Sequence, residues 1–441
     1  MTGHHSNHSS SRRRFLTAST TLLTTPFVSR RVHGDEKKLA IHGGRKSVTG
    51  SYSKRLRWGA AELEQLTVML KQNSLFYWKG PRTELFKERF RKHHPATSVH
   101  TCSSGTAAVH IAVAAAGTQP GDEIITAPIT DIGTVTGILF QQAVPVFADL
   151  EPHTYNLNVE DVKKKITPKT RAIIAVHLAG NPCDMAALKL LADEHDLVLI
   201  EDAAQAWGAW YDGIPVGTIG HFGCFSMMNS KHISTGDGGV VCSVDQTFGP
   251  LMQKYGDKGS DRTTRESAEV LASNYRMSEP QAAVGAAQLS RLEKIVVTRN
   301  RLGRLLTAGI ADVPGLTPML EREHDRCTYW FYYFRLDLTR FKCDRNQFAK
   351  ALVAEGVGAS AGYIRTPVYE YPMFQKHSFF NGSWPLRDMG LTKMDYRRVS
   401  CPESVEILKT GIRFRITEDM DETYVHQIAA AIRKVATHYA V

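Results

Sequence analysis

Between residues 98 and 241, short β-branched runs alternate with longer helical patterns, and this alternation limits the possible folds more than any other feature of the chain. The runs are EIITA at 123–127, VPVFAD at 144–149, RAIIAVH at 171–177 and LVLIED at 197–202. The stretches between them, such as 104–116 and 184–195, have apolar residues at helical spacing and few breakers. Parallel strands need long crossovers, and runs this continuously apolar need cover on both faces. The pattern therefore predicts βαβ units and an α/β fold built on a large, mostly parallel sheet.

The flanks are read the same way. A helix is expected at 60–72 and a long helical pattern at 278–302. Further on, YWFYYFRLDL reads as a strand, 346–355 as a helix and 421–438 as a closing amphipathic helix. This predicts three parts: a leader at 1–38, a large α/β domain at 39–300 and a smaller C-terminal α+β domain at 301–441. No internal repeat is visible.

With 42% hydrophobic and 22% charged residues, the body is that of an ordinary globular protein, and no apolar run is long enough to span a bilayer. The net charge of +10 is spread over short clusters such as Arg12 to Arg14 and Lys163 to Lys165. No recognition motif accompanies it, so nucleic acid is not an expected partner. A positive field instead suits anionic substrates such as nucleotide-linked sugars. The seven cysteines (Cys102, Cys183, Cys224, Cys242, Cys327, Cys343 and Cys401) are scattered, with no CxxC spacing. They read as small buried hydrophobes, not as a disulfide framework or a metal site. The leader contains SRRRFL at 11–16 and then a weakly apolar stretch ending near Val28. That resembles a twin-arginine export signal and predicts a periplasmic protein, against a cytoplasmic one with a disordered basic tail.

Three strings carry chemistry. In CSSGTAAVHIAVAAAG, from Cys102, a strand ends in a turn that opens an Ala-rich helix. The first amides of such a helix lack partners and face its positive dipole end, so they can bind phosphate, although Ser and Thr there also serve as plain caps. In LVLIEDAAQAWGA, Asp202 stands at the carboxyl end of a strand, where ligands of open α/β sheets sit. Its carboxylate can cap a helix or hold a pyridine nitrogen protonated, and Gln205 follows one turn later. In GCFSMMNSKHISTGDGGVV, a strand ending at Ser226 leads to a loop with Lys231. An amine with a destabilised ammonium forms imines with carbonyls, and His232 beside it reads as structural. A phosphate turn, a strand-end Asp, then Ser and Lys is the order that pyridoxal 5'-phosphate requires.

Those strings, together with LAIHGG, PGDEII, PVFADLEPHTYN, AVHLAGNPCDM and NYRMSEPQAAVGAAQLSRLE, resemble the DegT/StrS-type (DegT/DnrJ/StrS) sugar aminotransferases from about Leu39 to the C terminus. The resemblance implies the fold-type I aminotransferase architecture with pyridoxal phosphate as cofactor. It implies that Lys231 forms the Schiff base, Asp202 pairs with the ring nitrogen and Gln205 bonds the ring hydroxyl. Gly105, Thr106, Ala107 and Ser226 would hold the phosphate. Asn274 would reach the phosphate of a neighbouring subunit in a homodimer with shared sites. The role of His177 is open. One departure stands out: where many members place a ring-stacking aromatic, PITDIGTV offers Asp131 or Ile132. The expected reaction is amino transfer from glutamate or glutamine to a keto-sugar or keto-cyclitol. The alternatives are dehydration or aromatisation of a cyclic ketone, or a regulatory relative without catalysis.

Overall fold

The computed structural model describes residues 38–264 and 267–441. The SRRRFL leader lies outside the described residues.

The main sheet has seven strands. They are β1 (Ser98–Cys102), β2 (Glu123–Thr126), β3 (Val144–Phe147), β4 (Thr170–Val176), β5 (Val198–Asp202), β8 (Phe222–Ser226) and β9 (Gly239–Ser243). A short hairpin, β6 (Trp210–Tyr211) with β7 (Ile214–Pro215), interrupts the series. The spatial order is β1-β9-β8-β5-β4-β2-β3. Strands β8, β5, β4, β2 and β3 run parallel, and β9 is antiparallel to both of its neighbours. All residues of β3, β8 and β9 are buried, as a sheet covered on both faces requires.

Helix α1 (Ala60–Met69) and helix α2 (Pro81–His93) precede the sheet. Helix α3 (Gly105–Ala115) follows β1 directly, and helix α4 (Ile132–Phe140) follows β2. Alanines give α3 a slim, almost wholly buried body that packs against the sheet and α4. A second, antiparallel sheet joins β10 (Leu316–Pro318), β11 (Tyr332–Leu336), β13 (Gly411–Phe414) and β12 (Ser360–Ala361), in that order.

The long helical pattern at 278–302 is two helices, Glu279–Leu289 and Leu292–Ile310. At the junction the backbone tightens, with Ser290 and Arg291 donating to the carbonyls of Ala287 and Gln288. The Ser290 hydroxyl also bonds the Ala287 carbonyl at 2.6 Å. The apolar spacing runs on through this break, which is why periodicity alone passes over it. All seven cysteines are buried and free. Among the described residues, no helix is long and apolar enough to cross a membrane, and no cluster of His, Cys, Asp and Glu could hold a metal ion.

Candidate active site

The site forms where three chain turns meet at the carboxyl edge of the parallel strands. The first is the β1–α3 turn. Ser104 caps α3, accepting the Ala107 amide at 3.0 Å. That leaves the amides of Gly105 and Thr106 at the mouth of the helix. A Cβ at Gly105 would lie 2.6 Å from Ser226 Cβ, so only glycine lets the helix end approach the end of β8 this closely.

The second is the end of β5. Asp202 is buried; its Oδ2 accepts the Thr134 hydroxyl at 2.6 Å and its Oδ1 accepts the Ala204 amide at 3.1 Å. Burial pushes its carboxyl pKa up, while those two donors pull it down. Next to it, buried Glu201 accepts the amides of Gly217, Ile219 and Gly220 and thereby ties β5 to the approach of β8. His177 is part of this brace. Its Nε2 lies 3.1 Å from Glu201, its Nδ1 accepts the Cys183 amide, and its own amide donates to the Asp202 carbonyl.

The third is the loop after β8, which carries Lys231. The side chain is buried, with 6% exposure, and Nζ stands 3.8 Å from the centre of the Trp330 ring. Burial pushes the ammonium down to about 8, against the pull of Asp202 and Asp131. His232 points away and bonds the Thr328 carbonyl at 2.9 Å; burial keeps its pKa far below the ordinary range.

Gly105, Thr106, Asp131, Thr134, Asp202, Ser226 and Lys231 line one cavity of 160 Å³. Such a space suits a small ring and not a nucleotide-sized molecule. A second cavity of 340 Å³ opens on the other side of Lys231, lined by Tyr52, Lys54, Arg55, Trp330 and Arg415 among others. A larger space of 660 Å³ beyond Arg57 does not reach Lys231, so volume is a poor guide to the chemistry here.

Not every expected residue lies in the cavity. Ala107 does not line it, and its amide is already taken by Ser104. Gln205 stands just outside, its Oε1 accepting the Ala179 amide at 2.9 Å and its Nε2 directed at the Tyr363 hydroxyl at 3.3 Å. Asn274 is exposed and does not line the cavity; its Oδ1 accepts the Arg276 amide. Of the two residues at the departure, Asp131 lines the cavity and Ile132 does not. Asp131 caps α4 through the Gly133 amide at 2.8 Å. Thr134 and Trp330 carry no mark in the sequence that singles them out. Thr134 lies in the quoted PITDIGTV string, two residues past the turn. Trp330 belongs to the YWFYYFRLDL run, which reads as a strand.

These residues fit pyridoxal phosphate. Two open amides and a hydroxyl stand at one end, a buried carboxylate stands at strand β5, and a buried amine meets no hydrogen-bond acceptor among the described residues. The comparisons agree. The model of the DegT/DnrJ/EryC1/StrS aminotransferase family matches residues 58–433. The L-glutamine:2-deoxy-scyllo-inosose aminotransferase of Streptomyces kanamyceticus is 33% identical over 81% of this chain and 86% of its own. The GDP-perosamine synthase of Vibrio cholerae is 33% identical over 67% and 80%. The crystal structure of an aminotransferase from Psychrobacter cryohalolentis superposes with a TM-score of 0.78 at 27% identity, covering 88% of this chain and all of that one.

Proposed function

This chain belongs to the DegT/DnrJ/EryC1/StrS aminotransferase family and is a pyridoxal-phosphate-dependent sugar aminotransferase, and on that premise we propose its substrates and the roles of its residues. The donor is glutamate or glutamine. The acceptor is a keto-sugar, free or nucleotide-linked, or a keto-cyclitol. The observation that carries this reading is the meeting of the Lys231 amine, the Asp202 carboxylate and the Gly105–Thr106 helix end in one cavity. The names of the relatives support it, since one takes glutamine and a cyclitol ketone and another makes a nucleotide-linked amino sugar.

Bound here, pyridoxal phosphate supplies a carbonyl that combines with amines and a protonated ring that draws electrons from the reacting carbon. Lys231 is the residue that would hold it. With its ammonium at about 8, a useful fraction of neutral amine exists near neutral pH, able to bond a carbonyl and to carry a proton at the substrate carbon. Asp202 would keep the ring nitrogen protonated, and Thr134 fixes the orientation of that carboxylate. The amides of Gly105 and Thr106 with the Ser226 hydroxyl would take the phosphate. Ala107 would contribute by shaping the helix end, and Gln205 would face the ring hydroxyl.

Asn274 would serve the site of a second copy in a homodimer. Its exposure supports this. The test of the overall reading is a half-reaction. Glutamate or glutamine added to the loaded protein should convert the cofactor absorbance from the aldehyde to the amine form. Binding without conversion would favour dehydration or aromatisation instead.

A further inference from the structure

The turn that carries Lys231 is held from outside by two side chains, each from a distant part of the chain. Arg57, in the segment before α1, directs its guanidinium at this turn. One nitrogen donates to the Asn229 carbonyl. Another donates to the carbonyls of Lys231 at 2.5 Å and His232 at 3.1 Å. The remaining carbonyl, that of Ser230, accepts the Trp330 indole N–H at 2.7 Å. Four consecutive carbonyls, from residue 229 to residue 232, are thus occupied by one arginine and one tryptophan. A turn of this kind has no ladder to hold its carbonyls, so these bonds set its shape.

Both holders are themselves fixed. The Arg57 carbonyl accepts Gln288 and Arg291, each at 2.8 Å, which pins the segment to the helix pair at 279–310. Trp330 follows Tyr329, a buried residue in the left-handed region with φ 41°. Such a backbone is costly for a bulky residue and persists only where the surroundings impose it. Here the Thr328 and Trp330 amides bond the carbonyls of Gly180 and Ala179, and the Tyr329 hydroxyl bonds Glu321 at 2.9 Å. The Trp330 indole therefore arrives at a set angle, with its N–H on Ser230 and its face 3.8 Å from Lys231 Nζ.

We propose that Arg57 and Trp330 are positioning residues for Lys231, gripping its turn from behind so that the amine is held in the cavity facing Asp202 and Asp131. The purpose of the grip rests on the reading of Lys231 as the cofactor lysine; the grip itself does not. An arginine suits the task because its planar fork spans several carbonyls at once, which a lysine cannot do. The indole suits it because one ring offers a donor edge and a cation-binding face.

The test uses the full-length protein freed of cofactor, as wild type, Arg57→Lys and Trp330→Phe. Reductive methylation with formaldehyde is followed against pH, and the Lys231 peptide is read by mass spectrometry. In the wild type the amine should titrate near 8. Arg57→Lys keeps the charge and loses the fork; Trp330→Phe keeps the ring face and loses the N–H. Either should loosen the turn and let water reach the amine. The midpoint should then rise by about one unit, and amide exchange at 228–233 should quicken by about tenfold or more. A structural role alone would lower the melting temperature and leave the midpoint in place. The wild-type midpoint and exchange rates in a folded variant would overturn the proposal, and Trp330→Phe, the milder change, keeps that outcome within reach. Borohydride reduction of the loaded wild type separates the two claims. Label on a lysine other than Lys231 would refute the reading of the cofactor site, whatever the titration shows.

Discussion

Lys231 and Asp202 face one cavity, and burial moves both toward neutrality: the amine down to about 8, the carboxyl up from its ordinary range. In the cofactor-free protein this has a measurable cost. The Lys231 amine binds its proton less tightly folded than unfolded, so the unfolded chain holds more protons between about 8 and the ordinary 10.5. Stability should therefore rise with pH across that window, the destabilisation being full below it. Lys231→Met should be the more stable protein at pH 7, by roughly 3 kcal/mol from the size of the shift. By pH 10 most of the difference should be gone, as read by denaturant unfolding; a gap that ignores pH would contradict this. For Asp202, replacement by Asn removes the group that would keep the ring nitrogen protonated. Amino transfer should fall by about a hundredfold or more, with cofactor still bound. Near-normal turnover would leave Asp202 as a cap for Ala204. Asp202, Ser226, Gly105 and Thr106 could be picked out in the sequence because each stands at the end of a recognisable strand or the start of a helix, and Lys231 because it lies on the Gly-containing loop between two strands. Thr134, Arg57 and Trp330 could not, because only the tertiary fold brings them to the site.

At the scale of elements, the phosphate end of the site is a contact between the N-terminus of α3 and the end of β8. Gly105 allows that contact, since an added Cβ would meet Ser226 Cβ at 2.6 Å. Gly105→Ala must push the two apart. The expected cost is about 1–3 kcal/mol of stability and a loss of cofactor affinity of about tenfold or more, checked by fluorescence titration with pyridoxal phosphate. Affinity equal to wild type would mean that the phosphate binds elsewhere. The strands of the parallel sheet were the most readable elements: EIITA, VPVFAD, RAIIAVH and LVLIED lie within a residue or two of the observed bounds. Each has a continuous apolar centre because both faces are covered. The break at Ser290 and Arg291 was not readable. The local bonds at Ser290 leave the apolar spacing unbroken, and the Arg291 side chain beside it binds distant partners, the Arg57 carbonyl and Glu62, which leave no periodic mark.

The whole molecule places Lys231 in the interior of one chain and leaves Asn274 on its surface. If two copies share their sites, each site uses Lys231 of one and Asn274 of the other. Lys231→Ala and a disabling change at Asn274 should then be inactive separately and complement when mixed. Random reassortment makes about half the dimers mixed, and one of the two sites in each carries neither defect, so activity should return to about a quarter of wild type. No recovery, together with full activity of the Asn274 variant alone, would make Asn274 a loop residue held by its bond to Arg276.

The central claim is that this cavity holds pyridoxal phosphate through Lys231. The most direct measurement is borohydride reduction of the loaded protein, digestion and mapping of the labelled peptide. The account predicts a single label on the peptide containing Lys231, and none in Lys231→Ala. A label on another lysine, or an unchanged label in that variant, would contradict it.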